Sequence, residues 1–133
     1  MTKPETNFIR RVGKYLPPEV YAEKTNNPYR GGTPDMYYEG GMDILWAEYK
    51  YLKKIPPVVD VSKLLSALQY RWLKRAEKNN RTIAVIVGSA KGGMVLHPDN
   101  LVPRDEYIAG ITPAKELAEF IERVVTGCIS IGS

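Results

Sequence analysis

Residues 82–87 read Thr-Ile-Ala-Val-Ile-Val, an almost unbroken apolar run. A strand with one wet face alternates apolar and polar residues, so a run of this kind describes a strand covered on both faces. Such a strand needs layers of structure on both sides, and the preceding sequence supplies one of them. From Asp60 to Lys78, Leu64, Leu65, Leu68, Trp72 and Ala76 recur at helical spacing, with Asp60 as the expected N-cap and Asn79-Asn80 as the stop. Before that helix, Met42 to Tyr51 has the period of a strand: Ile44, Trp46, Glu48 and Lys50 share one face, and Leu45, Ala47, Tyr49 and Tyr51 the other. The long helix therefore crosses from one strand to a buried neighbour.

The remaining chain fits around that unit. Glu5 to Leu16 reads as a short helix with Phe8, Ile9, Val12 and Leu16 on one stripe, stopped by Pro17-Pro18. Val20 to Thr25 alternates like a strand, and Met36-Tyr-Tyr38 pairs with Met42–Tyr51 as a hairpin around Glu39-Gly-Gly41. After the buried strand, Ser89 to Gly93 turns the chain and Met94 to Leu96 returns as an edge strand. Thr112-Pro113 reads as a cap and first-turn proline, opening a helix with Leu117, Phe120, Ile121, Val124 and Val125 on its stripe up to Gly127. The order is α-β-β-β-α-β-β-α, an α/β fold with a mixed central sheet flanked by helices. At 133 residues a single domain is expected, with a core over about 5–97 and a C-terminal strand and helix over about 98–127.

Charge is unevenly spread. Residues 1–81 carry 15 basic and 9 acidic side chains, whereas residues 82–133 carry 4 and 6, for a net +4 overall. A positive half of this size suits a polyanionic partner. The lone cysteine, Cys128, makes no internal disulfide and no Cys-rich zinc site, and the lone histidine, His97, removes His-based metal clusters. No run approaches the length of about 18 apolar residues that a membrane span needs. The polar start Met1-Thr-Lys-Pro is not that of a signal peptide, so a cytoplasmic location is expected.

Three ionisable residues stand out. Asp35 opens the hairpin at the end of Gly31-Gly-Thr-Pro, and Glu48 and Lys50 point to the same side of the next strand. Paired carboxylates are what a hard divalent ion takes, together with water and phosphate oxygens. An acidic residue two before a lysine arises about once by chance in a chain with 15 acidic residues and this many lysines, so the spacing alone decides nothing. Context adds weight: Glu48 follows Ile44-Leu-Trp-Ala47, where an unpaired carboxylate is costly.

Gly32-Thr-Pro-Asp35, Glu48-Tyr-Lys50, Ser66-Ala-Leu-Gln69 and the apolar strand Ile83-Ala-Val-Ile-Val87 together resemble the PD-(D/E)xK nucleases and, within them, the VRR-NUC (virus-type replication and repair nuclease) group. The resemblance covers about residues 5–97. It implies a restriction-endonuclease-like αβββαβ core and metal-dependent hydrolysis of DNA phosphodiester bonds with Mg²⁺, for which Mn²⁺ would substitute. It implies that Asp35, Glu48 and the backbone carbonyl of Tyr49 hold the metal, that Lys50 acts on the attacking water and the phosphate, and that Gln69 supports the site. Glu5 is the candidate for a first-helix glutamate near the metal. It further implies a homodimer acting on branched DNA such as four-way junctions, and a phage-encoded protein working in the host cytoplasm. The C-terminal helix or the strand near Met94 would then be the pairing surface. The alternatives are a sequence-specific endonuclease of the restriction or homing kind and a non-catalytic DNA-binding module.

Lys24, Arg30, Lys53, Lys54, Arg71, Lys74 and Arg75 are the expected DNA-backbone contacts. Tyr29, Tyr37, Tyr38, Tyr49, Tyr51 and Tyr70 would stack on unpaired bases or pack the sheet. His97 and Asp99 read as turn residues.

Overall fold

The computed structural model of the chain describes residues 2–25, 31–54, 56–103 and 111–127. Helix α1 (Lys3–Gly13) starts at a capping box in which Thr2 and Glu5 satisfy each other's backbone N–H groups, and it buries Phe8, Ile9 and Val12. Strands β1 (Tyr21–Lys24), β2 (Met36–Glu39) and β3 (Ile44–Tyr51) form an antiparallel meander, with Lys24 opposite Met36 and Met36 opposite Ala47. Strand β5 (Thr82–Ser89) lies parallel to β3, and β6 (Gly92–Leu96) returns antiparallel on its outer edge. The sheet order is β1-β2-β3-β5-β6.

Strand parity sorts the side chains into two cores. Leu45, Ala47 and Tyr49 of β3 and Ala84 and Ile86 of β5 join Phe8 and Val12 of α1 and Leu117, Ile121 and Val124 of helix α4 (Ala114–Thr126). On the other face, Ile83, Val85 and Val87 pack on Leu73 and Ala76 of helix α3 (Ala67–Lys78). The run at residues 82–87 is therefore buried on both faces, as its composition requires.

Several expectations change. The helix expected over Asp60 to Lys78 is two helices: Val58–Asp60 forms β4, Val61–Leu64 a single turn α2, and Leu65 is extended before α3 begins at Ala67. Ser66, not Asp60, is the cap that bonds: its hydroxyl accepts from the Gln69 N–H. The break rephases the helix, so Leu73 and Ala76 are buried while Leu68 is 52% exposed. The strand expected after residue 98 is β7 (Leu101–Pro103), but it pairs antiparallel with β4 in a small second sheet and not at the edge of the main one. Thr112 is not a cap; its backbone exchanges hydrogen bonds with Gly93, and Pro113 precedes α4. The apolar stripe of α4 is spent on the sheet and α1, so Leu117, Ile121, Val124 and Val125 are not free to pair with a second copy. Cys128 lies outside the described residues.

One contact sets the position of the Asp35 turn. Gly32 has φ of +92°, and a Cβ built there would stand 2.4 Å from the Leu68 carbonyl oxygen, while one at Gly31 would meet the Leu68 side chain. The turn thus lies directly on the first turn of α3, where only glycine fits. Gly32→Ala should cost about 1–3 kcal/mol for the left-handed backbone alone, more once the clash is added. Denaturant unfolding of the variant measures it.

Candidate active site

The site lies at the carboxyl end of β3. Asp35, in the bend before β2, reaches across to β3, and its Oδ2 accepts the backbone N–H of Tyr49 at 2.9 Å. The bend itself is held by Thr25, whose N–H donates to the Asp35 carbonyl and whose hydroxyl donates to the Pro34 carbonyl. Glu48 and Lys50 project from β3 toward α3, as their alternation demands. Glu48 is 2% exposed, and Lys50 Nζ stands 3.6 Å from its Oε2.

Gln69 joins these two residues. Its Oε1 accepts from Lys50 Nζ at 3.0 Å and from the Ser66 N–H at 2.9 Å, while its Nε2 donates to Glu48 Oε2 at 3.2 Å. The same amide is therefore a capping-box member and a bridge between a carboxylate and an ammonium. The bond to the Ser66 N–H fixes which end faces which: oxygen to the lysine, nitrogen to the glutamate. Ser66→Ala, which keeps that N–H but removes the bond from the Gln69 N–H to the hydroxyl, should cost about 1 kcal/mol of stability. It should also lower activity more than stability at permissive temperature, whereas Ser66→Thr restores both. Thermal unfolding and turnover measured side by side separate the two effects.

Glu48 Oε1 is buried with no hydrogen-bond partner. Burial, then the nearby charge of Asp35, pushes the Glu48 carboxyl up to about 8, against the opposing pull of Lys50. An unsatisfied, charge-strained carboxylate oxygen beside a second carboxylate is a donor set that a hard cation fits, since Mg²⁺ rests on one or two carboxylates and keeps waters for the rest. Glu48 and Asp35, with the backbone carbonyl of Tyr49, the residue after Glu48, would hold such an ion. Among the described residues no group of three His, Cys, Asp or Glu side chains is placed to bind a metal, which leaves a two-carboxylate site completed by water and substrate oxygens.

Other expected site residues fall elsewhere. The Glu5 carboxylate is taken up by the α1 capping box, with Oε2 accepting from the Thr2 N–H at 3.3 Å. Lys24 shares a sheet face with its partner Met36 and lines a groove with Thr6, Ile9 and Arg10 of α1, on the side of the sheet away from Glu48 and Lys50. Lys74 is spent: it pairs with Asp99 at 2.6 Å and Glu77 at 3.3 Å, so it presents no free positive charge. Lys53 and Lys54 are exposed just past the end of β3, and Arg71 and Arg75 are exposed on α3. Arg30 and Tyr29 lie outside the described residues. Tyr38 and Tyr49 are fully buried with their hydroxyls 2.6 Å apart, so neither can stack on a base. Tyr51 packs near Phe8, and Tyr70 donates to Asp99.

His97 is a turn residue, as expected, yet it is also tied down. Its Nδ1 accepts the Asp99 N–H and its Nε2 lies 2.7 Å from Glu77, so Tyr70, Lys74, Glu77, His97 and Asp99 form one polar network joining α3 to the β6–β7 turn.

The fold is known among solved structures. The chain matches the structure of Archaeoglobus fulgidus Hjc, a Holliday junction resolvase from an archaeal hyperthermophile, with a TM-score of 0.56, covering 90% of this chain and 99% of that one at 17% identity. At that identity the likeness is one of fold, and the expected restriction-endonuclease-like core is the architecture found. No family model and no curated protein matches the chain. No helix among the described residues is long and apolar enough to cross a membrane.

Proposed function

We propose that the protein is a metal-dependent deoxyribonuclease of the PD-(D/E)xK type that cuts branched DNA such as four-way junctions, acting as a homodimer. The observation that carries this reading is the buried, partnerless Oε1 of Glu48, set beside Asp35 and a lysine held in place by Gln69. The resolvase-like fold supports the choice of branched DNA, and the assignment to the VRR-NUC group is part of the same proposal.

Asp35, Glu48 and the Tyr49 carbonyl would hold Mg²⁺ or Mn²⁺, which when bound supplies Lewis acidity to the attacking water and to the scissile phosphate. Lys50, as the ammonium that donates to Gln69 Oε1, orients that water and places positive charge against the phosphate as negative charge builds in the transition state. Gln69 keeps the Lys50 ammonium from collapsing fully onto Glu48, since it occupies one donor of the first and one acceptor of the second. Lys53 and Lys54, just past the end of β3, and Arg71 and Arg75, exposed on α3, would hold the backbone. A second copy would supply the second cut.

The test is cleavage of a four-way junction and of a linear duplex with Mg²⁺, Mn²⁺, Ca²⁺ or EDTA. The junction should be cut with Mg²⁺ or Mn²⁺, bound without efficient turnover in Ca²⁺, and left intact in EDTA. Junction cleavage that survives in Asp35→Ala would sink the site. Cutting of one linear sequence with no preference for the junction would favour the restriction-type reading, and salt-sensitive binding with no cutting in any metal would favour a binding module.

A further inference from the structure

Helix α3 packs on β5 and reaches β3 through Gln69 and Trp72, and the crevice between α3 and β3 is lined in order. Gln69, Glu48 and Lys50 occupy one end. In the middle Trp46 meets Trp72 of α3, ring centroids 5.3 Å apart, and Tyr37 of β2 at 5.2 Å. Tyr21 extends this row to the sheet edge, and Arg75 lies 5.1 Å over Trp72. The far end opens into a groove of about 470 Å³ lined by Glu39, Asp43, Ile44, Trp46, Asn80 and Arg81 among others. Trp46 and Glu48 are successive residues on one face of a strand, so their side chains stand about 7 Å apart. That is comparable to the stride of an extended nucleotide backbone.

Charge orders the crevice across its width. Arg71, Arg75 and Arg81 lie on α3 and just beyond it, whereas Glu23 and Glu39 lie on the tyrosine wing, where Glu23 accepts from the Tyr21 hydroxyl at 2.9 Å. Asp43, also near the groove, is engaged by the Ile44 N–H and the Thr82 hydroxyl. A phosphate backbone is drawn to the helix side and repelled from the wing, which turns the bases of a bound strand toward the aromatic row.

We propose that this crevice binds the unpaired nucleotides adjoining the scissile phosphate, with Trp46 and Trp72 as the stacking surface and Arg75 and Arg81 on the backbone. It rests on the reading of Asp35, Glu48 and Lys50 as a phosphodiester site. The ligand class is single-stranded or frayed DNA, because a base held in a duplex has both faces covered. Its sequence is indifferent, since every base offers a face to stack.

The chain has two tryptophans and nine tyrosines, and both tryptophans belong to this pair, so emission excited at the red edge, where tyrosine does not absorb, reads the crevice alone. Wild-type protein, without metal and again with Ca²⁺, is titrated with a single strand of about 10 nucleotides and with a blunt duplex of equal phosphate count. The single strand should quench the emission and the duplex should not. Trp72→Ala should weaken single-strand binding about 5- to 100-fold, with duplex affinity unchanged and Trp72→Phe restoring most of the loss. Equal quenching by both ligands, or none, overturns the proposal. So does an emission maximum that shifts red on dilution as the mass halves, which assigns the surface to a second copy. Junction cleavage reports on the catalytic site separately: quenching without cleavage in any metal fails that site and leaves the crevice standing, and cleavage without quenching does the reverse.

Discussion

Glu48→Gln should give a protein that is more stable and inactive. In the folded chain the carboxyl is pushed up to about 8 from an ordinary value of 4.5, by burial first and by Asp35 second. Between those values the folded state binds a proton that the unfolded state has released, so stability without metal is highest at the acid end and falls as pH rises toward about 8. Glutamine keeps the shape and still accepts from Gln69 Nε2, but it never ionises. The variant should therefore lose this pH dependence and at pH 8 melt higher than wild type by about 1–2 kcal/mol, or roughly 3–10 °C. Mg²⁺ should raise the melting temperature of wild type, increasingly so as pH rises and the ion displaces the proton, and should leave Glu48→Gln unmoved. Cleavage should drop about 10³-fold. Melting curves across pH, with and without Mg²⁺, check the first three statements. A variant less stable than wild type at pH 8 would show that Glu48 is a structural ion-pair partner, its charge fully offset by Lys50.

The second large effect is that of Lys50→Met, which keeps the length and apolar stem of the side chain. Its loss should slow cleavage about 10²–10³-fold, the range for removing one positioned donor to charge that builds in the transition state, with DNA affinity nearly unchanged. Removing the ammonium also takes away the one charge that opposes the raised carboxyl of Glu48, so the metal concentration needed at neutral pH should rise. Higher pH or Mn²⁺ should then recover metal binding without recovering the rate. Single-turnover cleavage against metal concentration at two pH values separates these contributions. Full recovery of rate at high metal would reduce Lys50 to a neighbour that tunes Glu48.

The parity of Ile44–Tyr51 and the unbroken run at 82–87 were legible because burial on a sheet imposes a period or abolishes it, and both patterns are long enough to read. The grouping of Asp35, Glu48 and Lys50 followed from hairpin pairing and strand parity, whereas Gln69 entered only through the resemblance to the PD-(D/E)xK nucleases. What failed was punctuation. Apolar spacing continues through Leu64, Leu65 and Leu68 across a real helix break, and the Ser66–Gln69 box that marks the break falls inside the expected helix. Thr2–Glu5 is a second such box, and it claims the glutamate expected near the metal. A serine or threonine three residues before a glutamine or glutamate is a readable start signal in both places. Strands β4 and β7, three residues each, are too short to print a period. The loss of Lys74 to Asp99 was not readable, since the partner lies 25 residues away on another element.

The amide of Gln69 belongs at once to the opening turn of α3 and to the carboxylate–lysine pair. Helix ends ordinarily fray at little consequence, but here fraying and disassembly of the site are the same event. By reciprocity of linked equilibria, whatever free energy an ordered turn contributes to holding a ligand at Glu48 and Lys50, the ligand returns to the turn. The start of one short helix is thereby made a thermodynamic sensor of whether the site is filled.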